Sequence, residues 1–163
     1  MTGKVDATVA TRDDQRPALV LDTMLGKLAA YLRMCGYDAA YTLSRGVEAD
    51  DEIVALAKTE GRTVVTRDVS LAKNAPEAVL IESRDTVGQL REFRDAGYPL
   101  ELEDEPSRCG ACNAPLTRVA PEQPTPDYAP EPDYEAVWRC RECGQHFWRG
   151  SHWDDVAETL AKL

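Results

Sequence analysis

Four cysteines stand in two C-x-x-C pairs, Cys109 with Cys112 and Cys140 with Cys143, and 27 residues lie between the pairs. Two such pairs supply four thiolates, the donor set of a tetrahedral structural Zn2+. Asn113 and Gly144 each follow the second cysteine of a pair. Both residue types accept the left-handed backbone that a tight metal knuckle needs. The rival chemistry, two disulfides, needs an oxidising compartment that nothing in the sequence suggests. The fifth cysteine, Cys35, falls at the end of an apolar stripe with no histidine close by, and reads as a buried, inert thiol rather than a nucleophile.

A second set of residues able to do chemistry is acidic: Asp22, Asp50, Asp51 and Asp68. Carboxylate oxygens are the preferred ligands of hard cations such as Mg2+ or Mn2+, and a cation so held can activate a water and stabilise the leaving oxygen of a phosphodiester. Each acid also has a purely structural reading. Asp22, Asp50 and Asp68 suit helix N-caps, and Asp51 suits the positive end of a helix dipole. Their joint placement near the ends of successive strands favours the catalytic reading over four separate structural roles.

The elements that must position these groups follow from periodicity. Residues 1–17 are polar and aperiodic and end at Pro17, which reads as a flexible leader. ALVLD (18–22) reads as a buried strand, and Leu25, Leu28, Ala29 and Leu32 mark an amphipathic helix that Gly36 stops. DAAYT (38–42) reads as a second strand, followed by a loop through Gly46 and a helix from Asp50 bearing Ile53, Leu56 and Ala57. RTVVT (62–66) and AVLIE (78–82) read as two further strands, and Val87, Leu90 and Phe93 mark a helix from Thr86. Strands alternating with helices give an α/β fold of three layers with a mostly parallel sheet, and ligands of such sheets bind at the carboxyl ends of the strands. The expected organisation is a leader over 1–17, an α/β domain over 18–105, and a zinc ribbon over 106–163. The ribbon contains a proline-rich insertion, PEQPTPDYAPEPDYE, and ends in a short amphipathic helix bearing Val156, Leu160 and Leu163.

Composition sets limits on partners. The formal net charge is −10, and Arg outnumbers Lys 14 to 5. Excess acid opposes phosphate binding unless salt screens it, and the Debye length falls to about 3 Å at 1 M. An acidic, Lys-poor chain therefore fits a halophilic, salt-adapted source. That reading predicts a melting temperature that falls on dialysis into low salt; a melting temperature indifferent to salt would end it. No run approaches the roughly 18 apolar residues of a membrane span, and the N-terminus lacks a signal-peptide core, so the expected location is cytoplasmic. His146 reads as a packed ring, whereas His152, among Trp148, Arg149 and Trp153, reads either as a nucleic-acid contact or as part of a small aromatic core.

LDTMLGKLAAYLRMCGYDAAY, DDEIVALAKTEGRTVVTRDVSLAK, RCGACNAPL and CRECGQHFWRGSHW occur in this order. The chain resembles, over about residues 19–155, the PIN-like ribonuclease family named for the C-terminal domain of the mut-seven exonuclease. The resemblance implies a PIN-like α/β/α nuclease domain followed by a zinc ribbon, RNA as partner, and catalytic Mg2+ or Mn2+ held by Asp22, the Asp50–Asp51 pair and Asp68. The long proline-rich insertion and the acidic surface depart from it. Other carboxylate-based functions fit worse. A haloacid-dehalogenase-like phosphotransferase needs D-x-D after the first strand, but Asp22 is followed by Thr23 and Met24. A receiver-type phospho-acceptor needs a late lysine where Ser83, Arg84 and Asp85 stand. The expected function is a metal-dependent ribonuclease; the alternative is a catalytically silent RNA-binding adaptor working through the ribbon.

Overall fold

The computed structural model describes residues 16–163. Four short runs of apolar and β-branched residues pair in parallel: β1 (Leu19–Leu21), β2 (Ala39–Tyr41), β3 (Thr63–Thr66) and β4 (Ala78–Leu80), in the order β2-β1-β3-β4. Leu19 faces Ala39 on one side and Thr63 on the other, which fixes the register. Successive side chains of a strand point to opposite faces. Leu19, Leu21, Ala39, Val65 and Val79 accordingly form one core with Leu28 and Leu32 of α1 (Gly26–Met34) and Leu90 and Phe93 of α5 (Thr86–Asp95). Val20, Ala40 and Val64 form the opposite core with Ile53 and Ala57 of α3 (Asp50–Glu60) and Leu71 of α4 (Val69–Asn74). Helices cover both faces, as a parallel sheet requires, and the three-layer α/β expectation is met.

Two helices carry no periodic signal, although Asp68 reads in sequence as a candidate cap for the second. The loop after β2 contains α2 (Thr42–Arg45), ended by Gly46 in the left-handed conformation, and α4 spans only six residues with Leu71 as its one buried residue. Neither is long enough to display a helical period. Of the expected leader, Arg16 and Pro17 are described. Arg16 is packed: its Nε donates to the Cys35 carbonyl at 2.7 Å and its guanidinium lies over the Tyr37 ring. The remainder of the leader lies outside the described residues.

The C-terminal part forms an antiparallel sheet of β5 (Leu116–Arg118), β6 (Trp138–Cys140) and β7 (His146–Phe147), followed by α6 (Ser151–Ala161). The proline-rich insertion joins β5 to β6 without strand or helix. This ribbon packs on the α/β domain. Leu160 and Leu163 rest against the first core, and the buried Arg33 donates to the carbonyls of Ala39 and Gly110, both at 2.9 Å.

Candidate functional site

Parallel pairing brings the carboxyl ends of β1 and β3 side by side, with Asp22 following β1 directly and bonded through its own N–H to the Val65 carbonyl at 3.0 Å. The buried hydroxyl of Thr66, the last residue of β3, joins two of the acids. It donates to Asp22 Oδ2 at 2.8 Å and accepts from the Asp68 N–H at 2.9 Å. Asp22 Oδ1 accepts from the Thr23 N–H at 2.7 Å, and Asp68 Oδ1 caps α4 by accepting from the N–H groups of Ser70 and Leu71 at 2.8 and 3.1 Å. Capping is thus a real role of Asp22 and Asp68, but it occupies one oxygen of each. Among the described residues, Asp68 Oδ2 has no hydrogen-bond partner.

Asp50 is the first residue of α3 rather than its cap, which is Ala49. Its carboxyl is raised above the ordinary value by local desolvation first, and then by the charges of Asp68, Asp22 and Asp51. The rim therefore brings Asp22, Asp50 and Asp68 into one electrostatic neighbourhood. The charge of Asp51 also acts on Asp50. Among the described residues these acids do not gather as closely as metal ligands do, whereas four cysteines meet that condition. A donor set of separated carboxylates suits Mg2+, which keeps several waters and takes one or two carboxylates directly.

Beside the acids lies a pocket of about 230 Å3 lined by Met24, Arg67, Arg84 and Gln89. Arg67 sits between Thr66 and Asp68 in the chain, and its Nε is buried without a hydrogen-bond partner. In a chain of net charge −10, two guanidinium groups beside an acidic rim offer a place where an anion could be paired. Sequence reading overlooked Thr66, Arg67 and Arg84. The T-R-D run was its only sign of the first two, and Arg84 carries no local signal at all.

The second centre is sulfur. The Sγ atoms of Cys109, Cys112, Cys140 and Cys143 all lie within 4.8 Å of one another. Cys109 and Cys143 are 3.7 Å apart, and Cys112 and Cys140 are 3.4 Å apart. A tetrahedral site with Zn–S near 2.3 Å has edges of about 3.8 Å, so the group can hold Zn2+. The knuckles use the expected backbone, with φ of 77° at Asn113 and 79° at Gly144. They aim the Cys112 N–H at Cys109 Sγ (3.4 Å), and the N–H groups of Glu142 and Cys143 at Cys140 Sγ (both 3.3 Å). Burial opposes ionisation of Cys140 but is outweighed by these N–H groups and its sulfur neighbours, which bring the thiol down to about 7; burial pushes Cys109 up to about 12. Neither histidine belongs to the group. Cys35 is buried, and burial pushes its thiol up to about 12, in keeping with an inert role.

Comparison with protein families matches residues 17–160 to the Mut7-C RNAse domain. The chain belongs to this family. No curated protein and no solved structure matches it. Membership suggests a nuclease-type function and implies RNA binding, and the match spans both the acidic rim and the cysteine cluster. Among the described residues, no helix is long and apolar enough to cross a membrane.

The two parts of this Mut7-C RNAse chain are joined by a residue that the cysteine pattern singled out for another reason. Asn113 accepts from the Ala39 N–H at 2.9 Å and donates to Asp38 Oδ1 at 2.7 Å, the same oxygen that Arg62 reaches at 2.9 Å. Burial opposes the Asp38 charge, but the bonds from Arg62 and Asn113 outweigh it and lower its pKa. A depressed carboxyl stabilises the fold fully above the ordinary Asp value, near pH 4, and that contribution is lost as pH falls through the depressed value. Asn113→Gly keeps the left-handed knuckle and removes both bonds. We expect about 1–3 kcal/mol of destabilisation with zinc content unchanged, read by calorimetry and elemental analysis; an unaltered melting temperature would refute the docking role.

Arg149 donates to the Asp104 carbonyl at 2.8 Å and lies over Trp138 at 5.8 Å. His152 is exposed and, with the half-buried Trp148 and Trp153, lines a groove against Ala30 and Met34 of α1. His146 packs edge-on against Tyr128, as the packing reading held.

Proposed function

We propose that this protein hydrolyses RNA phosphodiester bonds, using Mg2+ or Mn2+ held by Asp22, Asp50 and Asp68, and that Cys109, Cys112, Cys140 and Cys143 hold a structural zinc. The observation that carries the reading is the Thr66 bridge. One buried hydroxyl ties the Asp22 carboxylate to the main-chain N–H of Asp68 at adjacent strand ends, with Asp50 close enough for the charges of both acids to raise its carboxyl. A bound divalent ion would lower the pKa of an attacking water and offset charge on the phosphate.

The protein's own groups do the rest. Asp22 and Asp68 present the oxygens left over from capping, and Asp50 presents an exposed carboxyl to the same rim. Of the Asp50–Asp51 pair, Asp50 takes this role because its electrostatic neighbours are Asp22 and Asp68. Arg67 and Arg84 face the substrate phosphate from the adjoining pocket. The site works in a salt-rich cytoplasm, where screening lets RNA approach an acidic surface.

A second reading, a silent RNA-binding adaptor, draws on the spacing of the rim acids, wider than a preformed metal cluster. The two separate in a cleavage assay on single-stranded and structured RNA at high and low salt. The nuclease reading expects products that depend on added Mg2+ or Mn2+; binding without products under any divalent ion selects the adaptor.

A further inference from the structure

The insertion that sets this chain apart builds a cleft on the ribbon. In the antiparallel register Thr117 faces Arg139 and Arg139 faces His146, so these three side chains form one row across the sheet. Trp138 and Cys140, on either side of Arg139, are buried, which leaves the row on the outer face. Arg141 folds onto that face by donating from Nε to Thr117 Oγ1 at 2.7 Å. Gln123 and Pro124 of the insertion form the opposite wall, and the enclosed space is about 490 Å3. Tyr128 ties the insertion down by accepting from the His146 N–H at 3.1 Å.

No carboxylate lines this cleft. Among the described residues, the Arg139 guanidinium has neither a hydrogen bond nor an ion pair. The unpartnered Arg139 and the Thr117-bonded Arg141, beside a hydrogen-bonding wall in a chain of net charge −10, favour a polyanion. Guanidinium forks match phosphate geometry and stay charged at every working pH. A space of this size lies in the range of small-ligand sites, roughly 300–1,000 Å3, and takes a nucleotide unit.

We propose that the cleft formed by Thr117, Arg139, Arg141, His146 and the insertion binds the backbone of single-stranded RNA away from the acidic rim. The choice of RNA rests on the nuclease reading. The ribbon docks at the amino end of β2 through Asn113, and the acids lie at the carboxyl ends of β1 and β3. One strand touching both must therefore run along the domain, so the cleft acts on long substrates.

The test is fluorescence anisotropy of a labelled single-stranded RNA with the zinc-loaded full chain, titrated with monovalent salt in the absence of Mg2+ and Mn2+. Each phosphate contact on a single strand contributes about 0.7 to the slope of log affinity against log salt. The double variant Arg139→Ala with Arg141→Ala should lose about tenfold in affinity and about 1.4 in slope, while Arg139→Lys with Arg141→Lys should keep the slope. Arg139→Gln alone, which removes a side chain with no partner to leave behind, should lose about 0.7 and tests the site even if the double variant folds poorly. Wild-type affinity and slope in Arg139→Gln would overturn the proposal. So would an acidic peptide that binds with arginine dependence where RNA does not, which would assign the cleft to a protein partner. Failure of the wild type to cleave would sink the nuclease reading and leave this binding test standing.

Discussion

Asp22→Asn and Asp68→Asn are expected to lower divalent-dependent RNA cleavage by about a hundredfold or more while the fold persists. The substitution removes a charge from a site whose hard-cation affinity depends on carboxylates, yet it keeps an oxygen for each backbone cap. At Asp68 that oxygen still accepts from Ser70 and Leu71, so the stability change should be a few tenths of a kcal/mol. At Asp22 the change is larger, because the amide nitrogen replaces the oxygen that accepts from the Thr66 hydroxyl. That hydroxyl must then turn, at a cost of about 1 kcal/mol. If capping were the whole role of these acids, activity would not follow the charge. Asp50→Asn should impair cleavage more than Asp51→Asn, since Asp22 and Asp68 are among the charges that raise the Asp50 carboxyl. Variants that cleave as well as the wild type would remove the rim from the mechanism.

The nearness of Asp22 and Asp68 was legible in sequence because a parallel sheet gathers strand ends, so an acid just past a strand has few other places to go. What bonds them was not. Thr66 reads as one more β-branched residue in a buried run, and nothing local distinguishes its hydroxyl from the Thr63 hydroxyl at the other end of β3. The same limit hid Arg84, which faces Arg67 only after β4 and its following loop have turned back toward the rim. Periodicity revealed α1, α3 and α5 because each carries several buried residues on one face. It missed α2 and α4, which are shorter than two turns. The knuckles were the most legible feature, since backbone sterics dictate Asn or Gly at left-handed positions. Even there, the side chain of Asn113 had a second use across 74 residues of sequence, a separation at which no spacing rule operates.

Cys140→Ser is expected to release zinc and to unfold the ribbon, with a smaller loss in the α/β domain. The ribbon has three strands of two or three residues, and its insertion contributes neither strand nor helix. Such a unit has too little core to fold without the metal, whose binding energy is its folding energy. Serine offers a hydroxyl in place of the thiol that accepts from the Glu142 and Cys143 N–H groups, which favour its ionised form. Loss of the ribbon also frees Leu160 and Leu163 from the first core and breaks the Asn113 bonds to Ala39 and Asp38. Those contacts together are worth roughly 2–4 kcal/mol, which lowers the melting temperature of a domain of this size by roughly 10 °C or more. Calorimetry should accordingly show a separate, lowered transition for the α/β domain, while elemental analysis shows less than one zinc per chain. Full retention of zinc in the variant would exclude the four-thiolate site. A single cooperative loss of all structure would mean instead that the two parts share one core, with Leu160 and Leu163 as its link.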